Sequence, residues 1–115
     1  MSNTTTIREP HEGLRCHKLM PTKIRRSLPP LYATEDIAID EKALNVAYFC
    51  PYNGWHWYVV EFDGSDICFG YVEGFEKGWG YFSLRELAEL TVLDGVPAVE
   101  RDCSFSPVRF GDLKT

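Results

Sequence analysis

The clearest pattern in the chain is an alternation of apolar and polar positions that starts near Leu44 and fades after Val72. Leu44 to Cys50, Trp55 to Phe62 and Ile67 to Val72 are rich in aromatic and β-branched residues, which fit a pleated surface. Pro51-Tyr52-Asn53-Gly54 separates the first two runs, and Asp63-Gly64-Ser65-Asp66 the second and third. Asn-Gly is the strongest short-range hairpin signal. The pattern predicts an antiparallel meander with strands near 44–50, 55–62 and 67–72. Strict alternation in the second run puts His56, Tyr58, Val60 and Phe62 on one face, and Trp55, Trp57, Val59 and Glu61 on the other. Both faces carry large apolar groups, so this strand is either covered on both sides or exposes aromatics on one.

Gly74 to Gly80 holds three glycines and reads as a loop. The period then lengthens. Ser83 and Glu86 form a capping box, and Phe82 and Leu87 sit at the ends of a hydrophobic staple. Leu84, Leu87, Ala88 and Thr91 share one helical stripe, with Leu90 beside it. These features predict a helix near 83–93 packed on the sheet, ended by Asp94-Gly95 and kept from restarting by Pro97. A short strand near 100–105 follows, cut by Pro107. Upstream, Lys18 to Leu28 predicts a short N-terminal helix near 18–28, with Pro21 in its first turn and Pro29-Pro30 at its end. Residues 1–17 show no periodicity and read as a flexible leader. Residues 18–115 then form a single α+β domain.

The 115 residues suit one domain, a size at which neither metal nor disulfide is required for stability. No apolar run approaches the ~20 residues of a membrane helix. Met1 to Pro10 lacks the apolar region of a secretory signal, so a cytoplasmic location is expected. The four cysteines, at 16, 50, 68 and 103, include no Cys-x-x-Cys pair and are expected as thiols. Cys50, Cys68 and Cys103 lie in strand-like runs and read as buried. Charge is split along the chain. Residues 1–33 carry six basic and two acidic groups, whereas the remainder carries six basic and fifteen acidic groups. An acidic body repels a phosphate backbone, which leaves the basic segment 18–26 as the one nucleic-acid candidate.

Candidate chemistry is sparse. His56 is the one histidine inside the sheet pattern, and no nucleophile elbow, phosphate-binding glycine loop or metalloprotease motif occurs. Neither a cofactor nor a metal is expected. Glu35 with Asp36, and Glu73 with Glu76, are acidic pairs that usually mean solvated surface. Arg101 and Asp102 flank the last strand, where the guanidinium could grip an anion. Tyr32, Trp55, Trp57 and Trp79 exceed what a small core needs, and exposed aromatics commonly anchor interfaces. An aromatic and acidic face suits a basic protein partner better than it suits catalysis. Two alternatives remain: a carboxylate array imitating nucleic acid against a host defence protein, and a ligand-binding or hydrolytic pocket near His56, Glu73 and Arg101.

Several blocks in order also resemble a known family. They are Leu28-Pro29-Pro30-Leu31-Tyr32-Ala33-Thr34-Glu35-Asp36, Trp55-His56-Trp57-Tyr58, Phe69 to Lys77, Gly80 to Leu84, Glu89-Leu90 and Glu100-Arg101-Asp102. Together they resemble the bacterial family catalogued as domain of unknown function 2958, over roughly residues 18–110. The resemblance implies an accessory protein of a bacterial mobile element. It implies no catalytic residue.

Overall fold

A computed structural model describes residues 9, 11–15 and 17–113. The elements run in the order α1 (Glu12–Arg15), α2 (Thr22–Ser27), β1 (Ala43–Leu44), β2 (Val46–Phe49), β3 (His56–Phe62), β4 (Ile67–Glu73), β5 (Lys77–Ser83), α3 (Leu84–Glu89), β6 (Thr91–Val92), β7 (Val96–Pro97), β8 (Glu100–Arg101) and β9 (Val108–Arg109). The fold is α+β. Five strands form an antiparallel sheet in the order β5-β4-β3-β2-β8, and β1–β9 and β6–β7 are two-stranded pairs.

The three predicted strands are present, joined by the predicted turns. Cys50 O accepts from Gly54 N at 2.9 Å, and Gly54 has a φ of 78°, which only glycine adopts freely. At the next turn the Asp63 carboxylate accepts from the amides of Ser65 and Asp66. Burial pushes the Asp63 pKa up, but these amides outweigh it and hold the carboxyl below its usual value.

The glycine-rich stretch differs from its expected loop. Residues 77–83 form a full strand paired with β4 from Glu73↔Lys77 to Ile67↔Ser83. Its glycines are tolerated because β5 is an outer strand with open space beside Gly78 and Gly80. The connecting turn is held by Gly74 N donating to Glu76 O. A side chain at Gly74 would strike the Trp55 ring.

Strict alternation also fails within β3. The register slips between Val59 and Glu61, leaving Val60 as an extra residue, a β-bulge. Phe62 therefore joins Trp57 and Val59 in the larger core, while Val60 packs with Tyr58 in the smaller one. Beside the bulge the chains approach closely. A Cβ on Gly70 would lie 1.7 Å from Tyr58 O, so that position must be glycine.

The larger core lies between one sheet face and the segments 19–28 and 84–88. Tyr48, fully buried, donates from its hydroxyl to Leu19 O at 2.8 Å and ties segment 19–20 to the sheet. Glu9 is buried too, and its carboxylate accepts from the amides of Leu19 and Met20. The leader expected over 1–17 lies largely outside the described residues, yet Glu9 and His17 are packed into the domain.

Helix α3 begins where the capping signal placed it. Ser83 Oγ accepts from Glu86 N at 3.1 Å. A second capping acceptor is the Asp66 carboxylate, which receives Ser83 Oγ and Arg85 N. Leu84, Leu87 and Ala88 are buried as predicted. The helix ends at Glu89, four residues short of expectation. Leu90 is already extended, and Ala98 N donates to Leu90 O as the chain turns into the β6–β7 hairpin. The N-terminal helix is likewise shorter than 18–28, and the last strand is two residues rather than 100–105 because Asp102 and Ser104 form a side-chain-bonded turn.

Candidate functional site

The second sheet face carries the polar aromatics. Register aligns Phe49, His56, Glu73 and Lys77 in one row across β2 to β5, with Glu100 opposite Phe49 on β8. The next row holds Ala47, Tyr58, Tyr71 and Trp79. The β1–β9 pair swings the C-terminal segment across the middle of this face, where Phe110 meets Tyr71 and Trp79 edge-on at 4.7 and 5.0 Å.

Between this cover and β2 lies a hollow of about 410 Å³ lined by Phe49, His56, Tyr58, Asp102, Phe105 and Leu113, among others. The His56 ring stacks on Tyr58, with centroids 6.2 Å apart, and on Phe49. His56 Nδ1 stands 3.8 Å from Glu73 Oε1, and Lys77 Nζ is 4.0 Å from the other Glu73 oxygen. The Glu73 side chain is 11% exposed, whereas that of His56 is 42% exposed. Burial, reinforced by the negative charges of Glu73 and Asp102, pushes the Tyr58 phenol up to about 12. Tyr58 is thus a proton-bearing donor at neutral pH, not a base. Asp102 Oδ1 accepts from Ser104 N at 2.9 Å.

The Asp102 carboxylate beside the Tyr58 and Phe105 rings suits a cation, since a lysine or arginine head group gains Coulomb attraction from the one and ring contact from the others. None of the lining residues named above is an activated nucleophile. The buried Cys68 belongs to the opposite core, and burial raises its thiol well above the usual value, with Asp66 and Asp63 adding to the shift. Cys103 is exposed, contrary to expectation, because it lies in the turn after β8. Cys16 lies outside the described residues. Among the described residues no group of His, Cys, Asp and Glu is arranged to hold a metal ion.

The sequence-predicted candidates are dispersed. His56 and Asp102 line the hollow, and Glu73 stands behind His56, outside the lining. Arg101 does not join them. It pairs with Tyr48 on the larger-core side, where its Nε donates to Lys18 O at 2.8 Å and its amide donates to His17 Nε2. A pocket shared by His56, Glu73 and Arg101 therefore does not form. Trp57 is buried in the larger core, and Trp55 packs against that core while meeting Phe75 edge-on. Trp79 belongs to the aromatic row under Phe110. Glu35 and Asp36 are exposed on the 31–37 loop. In the basic segment, Lys23 and Arg26 are exposed.

Two residues absent from the predicted set matter most. Tyr58 shares the hollow with His56, as the alternation in β3 already implied. Glu61 is 3% exposed, and its carboxylate accepts from Tyr32 N at 2.7 Å, Thr34 N at 2.9 Å and the Thr34 hydroxyl. Burial pushes its pKa up, but the Thr34 and Tyr32 donors and the charge of Lys42 outweigh this and hold it below the usual carboxylate range. Its grip holds Tyr32 at a φ of 72°, with the residue 61% exposed and its ring centroid 6.5 Å from that of Tyr81. A charge in the middle of an apolar strand was the signal for it.

The profile of the family described as "Protein of unknown function (DUF2958)" matches residues 19–110, and the chain belongs to that family. No curated protein and no solved structure matches it. Among the described residues no helix is long and apolar enough to cross a membrane.

Proposed function

We propose that the chain is a non-enzymatic accessory domain that binds a basic protein partner through the acidic and aromatic face of its sheet. The observation that carries this reading is the hollow where Asp102 and Tyr58 stand with Glu73 and His56 at hand. A cationic side chain is the group whose chemistry matches both the carboxylates and the rings. The resemblance implies a bacterial mobile-element setting, so the proposed partner belongs to such an element or to its host. A counter-defence role is a sharper form of the same proposal. There, Glu73, Glu100 and Asp102 stand in for phosphates on a protein that otherwise grips nucleic acid.

Fluorescence anisotropy with a labelled lysine- and arginine-rich peptide tests the site directly. Binding is expected to weaken steeply with added salt. It is also expected to weaken about tenfold or more in a Glu73→Gln, Asp102→Asn double variant. Salt-insensitive binding, or a double variant that binds as well as the parent, refutes the reading. Competition by short duplex DNA for a captured partner would distinguish the counter-defence form from simple docking.

A further inference from the structure

The two edges of the sheet are unequal. One is β8, two residues long, and the other is β5, seven residues long. Leu84 N donates to Asp66 O and Gly74 N donates to Glu76 O. Hydrogen-bonded pairs alternate along an antiparallel ladder. With the observed register, Gly78, Gly80 and Phe82 are therefore the β5 residues bonded to β4. The N–H and C=O groups of Lys77, Trp79 and Tyr81 point outward. Among the described residues no strand pairs with that edge. The usual guards are missing as well. The β4–β5 ladder has no bulge, the strand has no proline, and its single charge, Lys77, is at its start.

We infer that β5 is the two-fold interface of a homodimer, pairing antiparallel with β5 of a second copy so that Gly80 faces Gly80. This is the register that engages all seven residues. It sets Trp79 opposite Tyr81 of the other copy on one face, with their outward backbone groups exchanging hydrogen bonds. Cross-strand aromatic pairs of this kind stabilise sheets. On the other face it sets Phe82 of one copy opposite Gly78 of the other. Beside Gly78 and Gly80 lies a hollow of about 280 Å³, also lined by Val72, and the two-fold register brings the partly buried Phe82 of the other copy alongside it. An aromatic laid across a glycine on the neighbouring strand fills the space that the glycine leaves. Lys77 falls opposite Ser83, so no like charges oppose each other. A strand whose large and empty positions complement each other under two-fold rotation fits a second copy of itself better than it fits an unrelated peptide.

Sedimentation equilibrium at about 100 µM, where a micromolar dimer is essentially all assembled, is expected to give a dimer. A Cβ at Gly80 meets nothing within 4 Å, so Gly80→Glu and Gly80→Lys both fit the monomer. Across the two-fold axis each would set like charges face to face. Each variant alone is expected to dissociate at least about tenfold more readily, while an equimolar mixture of the two re-forms a dimer. On the unaltered chain, exchange of the Trp79 and Tyr81 amides is expected to slow as concentration rises. A monomeric parent at that concentration overturns the inference. So does a dimer indifferent to Gly80→Glu, a mixture that stays monomeric, or exchange at these amides that ignores concentration.

Discussion

The two faces of the sheet come from the same strands and obey different rules. On one, Tyr48, Trp57, Val59 and Cys68 are each 6% exposed or less and pack against α3 and the 19–28 segment. On the other, Tyr58, Tyr71 and Trp79 lie under a single crossing segment, and His56 and Glu73 emerge at its rim. The sealed face is built from apolar side chains and supplies the larger of the two cores. The half-covered face retains carboxylates and phenols at the edge of water, where they are affordable and available to a ligand. Glu61 is the exception that clarifies the rule: a charge sits deep in the sheet only because three donors saturate it.

This contrast predicts a graded series. Trp57→Ala, which empties the sealed face, is expected to cost about 3–5 kcal/mol in urea unfolding. A loss under about 1 kcal/mol would erase the distinction between the faces. Glu61→Gln is expected to cost about 2 kcal/mol, since an amide NH₂ must then confront a backbone N–H. The sign of its pH dependence follows from the lowered folded pKa. The Glu61 contribution is fully present above the unfolded value of about 4.3. It is lost as the pH falls through the lower folded value, so parent and variant should converge in acid. Convergence on raising the pH instead would contradict the assignment. Phe110→Ala, which removes the cover, is expected to cost about 1–2 kcal/mol and to shift tryptophan emission to the red as Trp79 becomes wet. Lys77→Ala should change stability by less than about 0.5 kcal/mol, because its partner lies 4.0 Å away and its own side chain is 61% exposed.

What could be read from the sequence was whatever depends on local order. The three predicted strands, both turns and the Ser83–Glu86 cap bond are signalled by residues close to one another in the chain. What escaped depends on distant partners. The strand at 77–83 hides behind its glycines, which are acceptable because nothing crowds them from outside. Leu90 leaves the helix because Ala98 claims its carbonyl. The bulge at Val60 reverses the facing of Phe62, and nothing local to β3 announces it. Arg101 illustrates the same limit at the site. Its position at a strand end was legible, but its side depends on the register with Tyr48, fifty-three residues earlier.

The buried carboxylate of Glu9 has a practical consequence for anyone shortening this polypeptide. The family match begins at residue 19, and a version trimmed to that point looks complete by alignment. It would nonetheless strand the Met20 amide, which has Glu9 as its acceptor, at about 1–3 kcal/mol, and would turn the Leu19 nitrogen into a charged terminus deprived of the same carboxylate. Such a trimmed version should be measurably rescued by millimolar acetate or formate, a small diffusible anion filling the notch that the tethered one had left.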